Sequence, residues 1–88
     1  MIKTHTFRGL RYRVSIRDKL AGFAEIPGHE PRTLYVDPTL SPKEFHETAI
    51  HEAMHAEDPD ACEQVVNRRA KSLSRWLWRL GYRRQTDA

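Results

Sequence analysis

Residues 41–57 read SPKEFHETAIHEAMHAE and predict a helix with marked ends. Ser41 suits the N-cap, Pro42 suits the first helical position, and Glu44 completes a capping box with Ser41. The helix should end where this stretch ends, because Pro59 keeps the residue before it out of the α conformation. Before this stretch the apolar residues alternate, so the chain changes from strand to helix period here.

A second helix start follows directly. Asp60 can cap it, Glu63 lies three residues later, and Gly81 marks its C-terminal stop. Apolar residues recur at near-helical spacing and predict a buried stripe: Val65, Val66, Ala70, Leu73, Trp76, Leu77 and Leu80. Trp76 therefore belongs to the predicted core, and Trp78 is expected to be partly exposed.

The first forty residues are typical of β structure. Residues 10–17 alternate apolar and polar side chains, residues 22–26 could form a second strand, and residues 33–36 form the best third one. Connections this short predict antiparallel pairing, because parallel strands need long crossovers. The predicted fold class is α+β: a small antiparallel sheet of about three strands, then two helices, in one domain spanning residues 1–88.

The composition leaves room for only a modest core. The chain has 88 residues, of which 39% are hydrophobic, and domains this small are often supplemented by a metal or a partner. The net charge of +3 is concentrated late in the chain, where the cations are Arg68, Arg69, Lys71, Arg75, Arg79, Arg83 and Arg84. Such a run indicates either a nucleic-acid partner for the basic C-terminal helix or a solvated helix face.

Cysteine usage and the N-terminal residues indicate a cytoplasmic protein. Cys62 is the one cysteine, so no intrachain disulfide can form, and a lone cysteine is more often buried and apolar than a zinc ligand. No apolar signal region follows Met1, and no apolar run is long enough to cross a bilayer. We therefore expect no membrane partner.

The first predicted helix contains the motif that carries chemistry, His51-Glu52-Ala53-Met54-His55. Residues i and i+4 lie one turn apart on the same face, so two imidazoles there can bind one tetrahedral ion. Glu52 lies about 100° around the helix from His51, where it can accept a proton from an activated water molecule.

The alternative is a surface helix that exposes two histidines and a glutamate. Apolar residues on both flanks of the histidines favour a cleft wall instead: Phe45, Ala49 and Ala53 on one side, Ile50 and Met54 on the other. His5, His29 and His46 are expected to be ordinary surface or loop histidines.

The H-E-x-x-H motif within strands followed by two helices resembles the zincin metallopeptidases. The His51–Ala56 stretch and the ending Trp78–Arg83 also resemble short, minimal zincin-like proteins of phages and prophages. The resemblance implies Zn²⁺ held by His51 and His55, with Glu52 as the general base for hydrolysis of a peptide or protein substrate. For a phage-encoded protein it implies the host cytoplasm.

A third zinc ligand must be sought outside the motif. The metzincin branch places a histidine where this chain has Ala61, which excludes that branch. The gluzincin branch takes a glutamate from the following helix, which implies Glu63, with Asn67 where an aspartate usually orients the first histidine. The linker is much shorter than in large gluzincins. Asp60 and then Asp58 are rival ligands, and Glu63 could instead close a capping box.

The resemblance also implies how a substrate would bind. An extended peptide would lie along residues 33–36 as an edge strand, and Tyr35, Tyr12 or Tyr82 could donate a hydrogen bond to the oxyanion. Two other functions compete with the peptidase: nucleic-acid binding through the basic helix, and a non-catalytic module stabilised by zinc.

Overall fold

The computed structural model describes residues 3–16 and 32–85, so the strand predicted at 22–26 lies outside the described residues. The elements, in chain order, are β1 (Thr4–Phe7), β2 (Leu10–Ile16), β3 (Thr33–Val36), α1 (Pro42–Glu57) and α2 (Glu63–Arg79). The α+β class and the order of strands before two helices are confirmed. Within the described ranges neither helix is long and apolar enough to cross a membrane.

β1 and β2 form a hairpin whose turn is attached to the end of α1. Arg8 and Gly9 connect the paired residues Phe7 and Leu10, with φ of 51° and 74°. Positive φ at both turn positions matches the twist of the flanking strands. The Arg8 Nε donates to the Ala56 carbonyl at 2.8 Å, so a cation lies at the negative end of the α1 dipole.

The sheet is mixed, so the prediction of antiparallel pairing is wrong for one of its two strand pairs. The described order is β1-β2-β3, with β2 antiparallel to β1 and parallel to β3. A parallel connection needs a dozen or more residues, and residues 17–32 separate these strands. The prediction had divided that segment into two short connections by placing a strand at 22–26.

Alternation along the strands separates an apolar face from a polar one. The pairs His5↔Tyr12, Val14↔Leu34 and Ile16↔Val36 lie on one face. Val36 is 5% exposed, and α1 contacts both β3 and β1, so this face packs against α1. Tyr35 lies on the opposite face of the sheet.

The start of α1 follows the prediction. The Ser41 hydroxyl accepts a hydrogen bond from the Glu44 N–H at 3.2 Å, and the Glu44 carboxylate accepts one from the Ser41 N–H at 3.3 Å. Together these bonds form the capping box, with Pro42 in the first helical position. Phe45, in this first turn, is buried.

α2 does not begin as predicted. Its N-cap is Cys62, which is exposed, has extended backbone (φ −73°, ψ 158°) and makes no side-chain capping bond. Asp60 instead lies in a turn that begins at Asp58, whose carbonyl accepts the Ala61 N–H at 3.1 Å. Pro59 takes the second position of that turn, which proline favours.

The end of α2 is formed as predicted around Gly81. Gly81 has a φ of +99°, and its N–H donates to the Trp78 carbonyl at 3.0 Å. The Tyr82 N–H donates to the Leu77 carbonyl at 3.1 Å, so the two bonds make a Schellman motif.

α2 is rotated about its axis relative to the prediction. It buries Val66, Ala70 and Ser74, whereas Leu73, Trp76 and Leu80 are 45%, 59% and 53% exposed. Trp78 is half-buried, with the Arg83 guanidinium 3.4 Å above its ring. The prediction that Trp76 belongs to the core is therefore wrong, whereas the predicted partial exposure of Trp78 is confirmed. The His46 Nε2 donates to the Ser74 carbonyl at 3.0 Å, so the buried side of α2 is hydrogen-bonded to α1.

We expect Ser41→Ala to lower the free energy of unfolding by about 1 kcal/mol, because the mutant loses the hydroxyl that accepts a hydrogen bond from the Glu44 N–H. In a domain of this size the melting temperature should fall by about 4–8 °C. Urea and thermal unfolding followed by circular dichroism measure both changes. Ser72→Ala, at an exposed interior position of α2, is the matched control and should not destabilise the protein.

Candidate metal centre

The two motif histidines face each other on α1. Their Nε2 atoms are 3.1 Å apart, and their ring centroids are separated by 4.8 Å. The side chains of His51 and His55 are 20% and 33% exposed, so the pair lies at the boundary between interior and solvent. The one-turn spacing therefore brings both ring nitrogens to the same point, as the sequence predicted.

Glu63, the first residue of α2, completes a three-residue group. Its Oε1 lies 2.8 Å from the Nε2 of His51, and its Oε2 lies 3.0 Å from the Nε2 of His55. The two rival ligands are elsewhere: Asp58 pairs with Arg69 at 3.4 Å, and Asp60 is exposed in the turn. The structure thus brings together the three residues that were predicted as metal ligands.

The turn between the helices explains how Glu63 reaches the histidines. The hydrogen bond from Ala61 to Asp58 reverses the chain immediately after α1. Ala70 and Ser74 are small and buried on the α2 side of the helix contact, so the two helices can pack closely. The first turn of α2 is therefore held against the last two turns of α1, and the short linker suffices.

Hydrogen bonds alone satisfy this group poorly. Three contacts join its members, but a carboxylate accepts hydrogen bonds and does not donate them. If both Nε2 atoms of His51 and His55 carry hydrogen, their N–H groups oppose each other at 3.1 Å. If one lacks hydrogen, its lone pair faces a carboxylate oxygen of Glu63. A cation shared by the three side chains removes the conflict, because it attracts all of these lone pairs.

The group fits a metal ion in size and in chemistry. Ligand atoms bound tetrahedrally to one Zn²⁺ at roughly 2.0–2.1 Å lie about 3.3 Å from one another. The contacts of 2.8, 3.0 and 3.1 Å are a few tenths of an ångström shorter. Glu63 is 61% exposed, so its side chain can make that adjustment. Within the described ranges, the group that could hold an ion consists of His51, His55 and Glu63.

Glu52, the predicted general base, is half-buried on α1 next to His51. It is not a member of the three-residue group. Helical geometry places it about 100° from His51 and about 60° from His55 around the axis. It therefore flanks the histidines, a position for a proton acceptor rather than for a ligand.

The other predicted site residues have different surroundings. In the described part of the chain no hydrogen bond joins Asn67 to an imidazole, and Cys62 is exposed rather than buried. Tyr12 lies on the sheet face that packs on α1, with its ring 5.4 Å from Phe7, whereas Tyr82 is 62% exposed beyond α2. Tyr35 lies on the far face, so strand alternation favours Tyr12 among the three.

Sequence reasoning missed two supporting contacts. Arg8 binds the end of α1 that carries His55, and His46 fixes α2 against α1 through the Ser74 carbonyl. The Arg8-Gly9 pair between alternating segments was a readable turn signal. The contact of His46 joins residues 28 positions apart, and no local pattern indicates it.

Comparison with known proteins gives no match: no protein-family model matches the chain, and neither does any curated protein or solved structure. The resemblance to zincins therefore stays a prediction that depends on the motif residues His51, Glu52 and His55. The positions of His51, His55 and Glu63 in this chain are what support a metal centre.

We expect His51→Ala and His55→Ala to abolish stoichiometric zinc binding, because each removes one of three ligands. For wild type, zinc at a hundredfold excess over its Kd should add about 2.7 kcal/mol of stability and raise the melting temperature by roughly 10–20 °C. Metal analysis of untagged protein and thermal melts with and without Zn²⁺ measure these effects.

His5→Ala is the matched control, since it removes an exposed imidazole on β1 that lies outside the group. It should keep the zinc stoichiometry of wild type. Equal zinc content in all three variants, or a wild-type melting temperature indifferent to Zn²⁺, would contradict a metal centre at this position.

Proposed function

We propose that this protein is a zinc-dependent metallopeptidase whose metal is held by His51, His55 and Glu63, with Glu52 as the general base. The observation that carries the proposal is the convergence of two imidazole nitrogens and one carboxylate within 3.1 Å of one another, beside a second carboxylate on the same helix. The order of elements supports the same assignment: strands come first, then a helix with the H-E-x-x-H motif, then a helix that supplies a glutamate.

The donor set favours zinc and a catalytic site. Two histidines and a glutamate are one of the ligand sets of catalytic zinc, whereas structural sites usually have four protein ligands, often cysteines. The described group has three members, and Glu63 is 61% exposed. An open fourth position on the solvent side is the arrangement that a hydrolase needs.

In the proposed hydrolysis, different residues of the chain transfer the proton, position the helix and stabilise the oxyanion. When bound, Zn²⁺ supplies Lewis acidity that polarises a carbonyl group and activates water. The Glu52 carboxylate accepts the proton that the attacking water loses and later donates it to the leaving amine. Arg8 and the β1–β2 turn hold the end of α1 in place, so His55 keeps its orientation. Tyr12 is our choice for a hydrogen-bond donor to the oxyanion.

An extended peptide is the proposed substrate. β3 is the last strand in the described order β1-β2-β3, and it contacts α1 directly. A peptide aligned with β3 would pass close to the helix that carries His51, His55 and Glu52.

One observation favours a second candidate, a non-catalytic module in which zinc holds the fold together. The hydrophobic core of the described residues is small: Val36, Phe45, Ala56, Val66 and Ala70. The three-residue group joins α1 to α2 beside that core, so an ion there would staple the two helices. In this alternative Glu52 has no chemical task.

We expect Glu52→Gln to keep zinc and fold while it lowers the rate of peptide hydrolysis by about 10²–10⁴-fold, the usual contribution of a general base. Hydrolysis of a fluorogenic mixed-peptide library by the zinc-loaded protein measures the rate. Glu47→Gln, at an exposed carboxylate five residues earlier on α1, is the control and should leave the rate unchanged.

A Glu52→Gln variant with the zinc content and hydrolysis rate of wild type would refute the assigned role of this carboxylate. If neither protein cleaves the library and zinc still raises the melting temperature, the zinc-stabilised module is the correct function.

A further inference from the structure

The outward side of α2 forms a basic groove that the metal centre does not use. The groove has a volume of about 380 Å³ and is lined by Arg68, Lys71, Ser72, Arg75, Trp76 and Arg79. Four of these six residues are cations, all exposed, and they come from three successive turns of one helix. We call this surface the basic groove.

The cations of the basic groove have no carboxylate partners among residues 3–16 and 32–85. The one arginine–carboxylate pair found there joins Arg69, outside the groove, to Asp58. Lys71, Arg75 and Arg79 follow one another at i, i+4 spacing, where like charges repel and destabilise a helix. An unbalanced row of this kind costs stability in the free protein and is relieved by a polyanion.

Trp76 adds an aromatic surface to the same groove. Its side chain is 59% exposed, although Trp78, two residues later, is half-buried under Arg83. A large aromatic ring left in water next to guanidinium groups offers a flat face for stacking. The groove thus combines positive charge along its length with one ring for planar ligands.

We propose that the basic groove binds single-stranded nucleic acid. Cations four residues apart on a helix are separated by about 6 Å along its axis, so they can follow the phosphates of an extended strand. An unpaired base can stack on Trp76, whereas the bases of a duplex are stacked on one another. Single-strand binding sites generally combine a positive groove with aromatic platforms, and the groove contains both parts.

Charge distribution favours a nucleic acid over a lipid surface. Five of the six residues that line the groove are cationic or polar, so a ligand charged along its whole length matches it better than acyl chains do. The exposed Leu73 and Leu80 are not among the lining residues. An acidic protein segment would satisfy the cations but supplies no base for Trp76.

Fluorescence anisotropy of a labelled oligothymidylate, titrated with the untagged full chain at several salt concentrations, tests the proposal. If all four cations contact phosphates, the slope of log K against log salt should be about −2.8. Arg75→Gln with Arg79→Gln should reduce the magnitude of that slope by about 1.4. Arg11→Gln with Arg13→Gln, on exposed positions of β2, removes the same charge elsewhere and should leave the slope unchanged.

Variants of Trp76 distinguish base stacking from purely electrostatic binding, because they leave the charge of the groove unchanged. Trp76→Ala should weaken binding about 5- to 150-fold, the range of one lost stacking contact, and Trp76→Phe should recover part of the loss. Circular dichroism and zinc content of each variant establish that fold and metal centre are retained. Glu52→Gln should bind the oligonucleotide like wild type, so this proposal and the peptidase proposal fail separately.

Two competitors complete the experiment. In the first, unlabelled polyglutamate competes for the groove as strongly as unlabelled oligothymidylate does if the cations alone decide binding. That result, combined with unchanged binding by Trp76→Ala, would overturn the proposal in favour of an acidic protein partner. Binding to phosphatidylserine vesicles with no anisotropy change would overturn it in favour of a membrane surface. If the two double variants gave the same slope of log K against log salt, the cations of the basic groove would contact phosphates no more than those of β2, and the proposal would be wrong.

Discussion

The contact of Glu63 with both imidazoles is the interaction on which the arrangement of the two helices depends. The carboxylate belongs to the first residue of α2 and reaches two side chains in the last two turns of α1, at 2.8 and 3.0 Å. It can do so because the Asp58–Ala61 turn reverses the chain within a few residues. The same contact brings three side chains that could bind a metal together at the edge of the protein interior. The packing of the two helices and the geometry of the candidate site therefore depend on the same residues.

Capping residues predicted those helix ends whose hydrogen bonds form between residues close together in the sequence. Ser41, Pro42 and Glu44 gave the start of α1, and Gly81 gave the end of α2, because caps are satisfied by neighbours in the chain. The start of α2 was different. Glu63 fitted both a capping box and a ligand role, and only the position of the two imidazoles in the folded chain decides between them.

The errors in the prediction concern non-local choices. Strand direction depends on what pairs with β2, and no residue within β2 or β3 encodes the parallel register. The rotation of α2 had the same origin. Apolar residues occur on both sides of its buried arc, so periodicity placed Trp76 in the core, whereas the folded helix buries Val66, Ala70 and Ser74 instead.

A metal held by His51, His55 and Glu63 would stabilise this fold and could also serve the proposed catalysis. A small core leaves the α1–α2 contact dependent on the side chains that join the helices, and a cation shared by His51, His55 and Glu63 would strengthen that contact. A closed four-ligand site would do the same while excluding water. Three donors, with Glu63 61% exposed, would leave one coordination position for a reactant and would bind the ion less tightly than four donors. An open position beside Glu52 would serve a hydrolase and would have no use in a purely structural module, so we propose the hydrolase first.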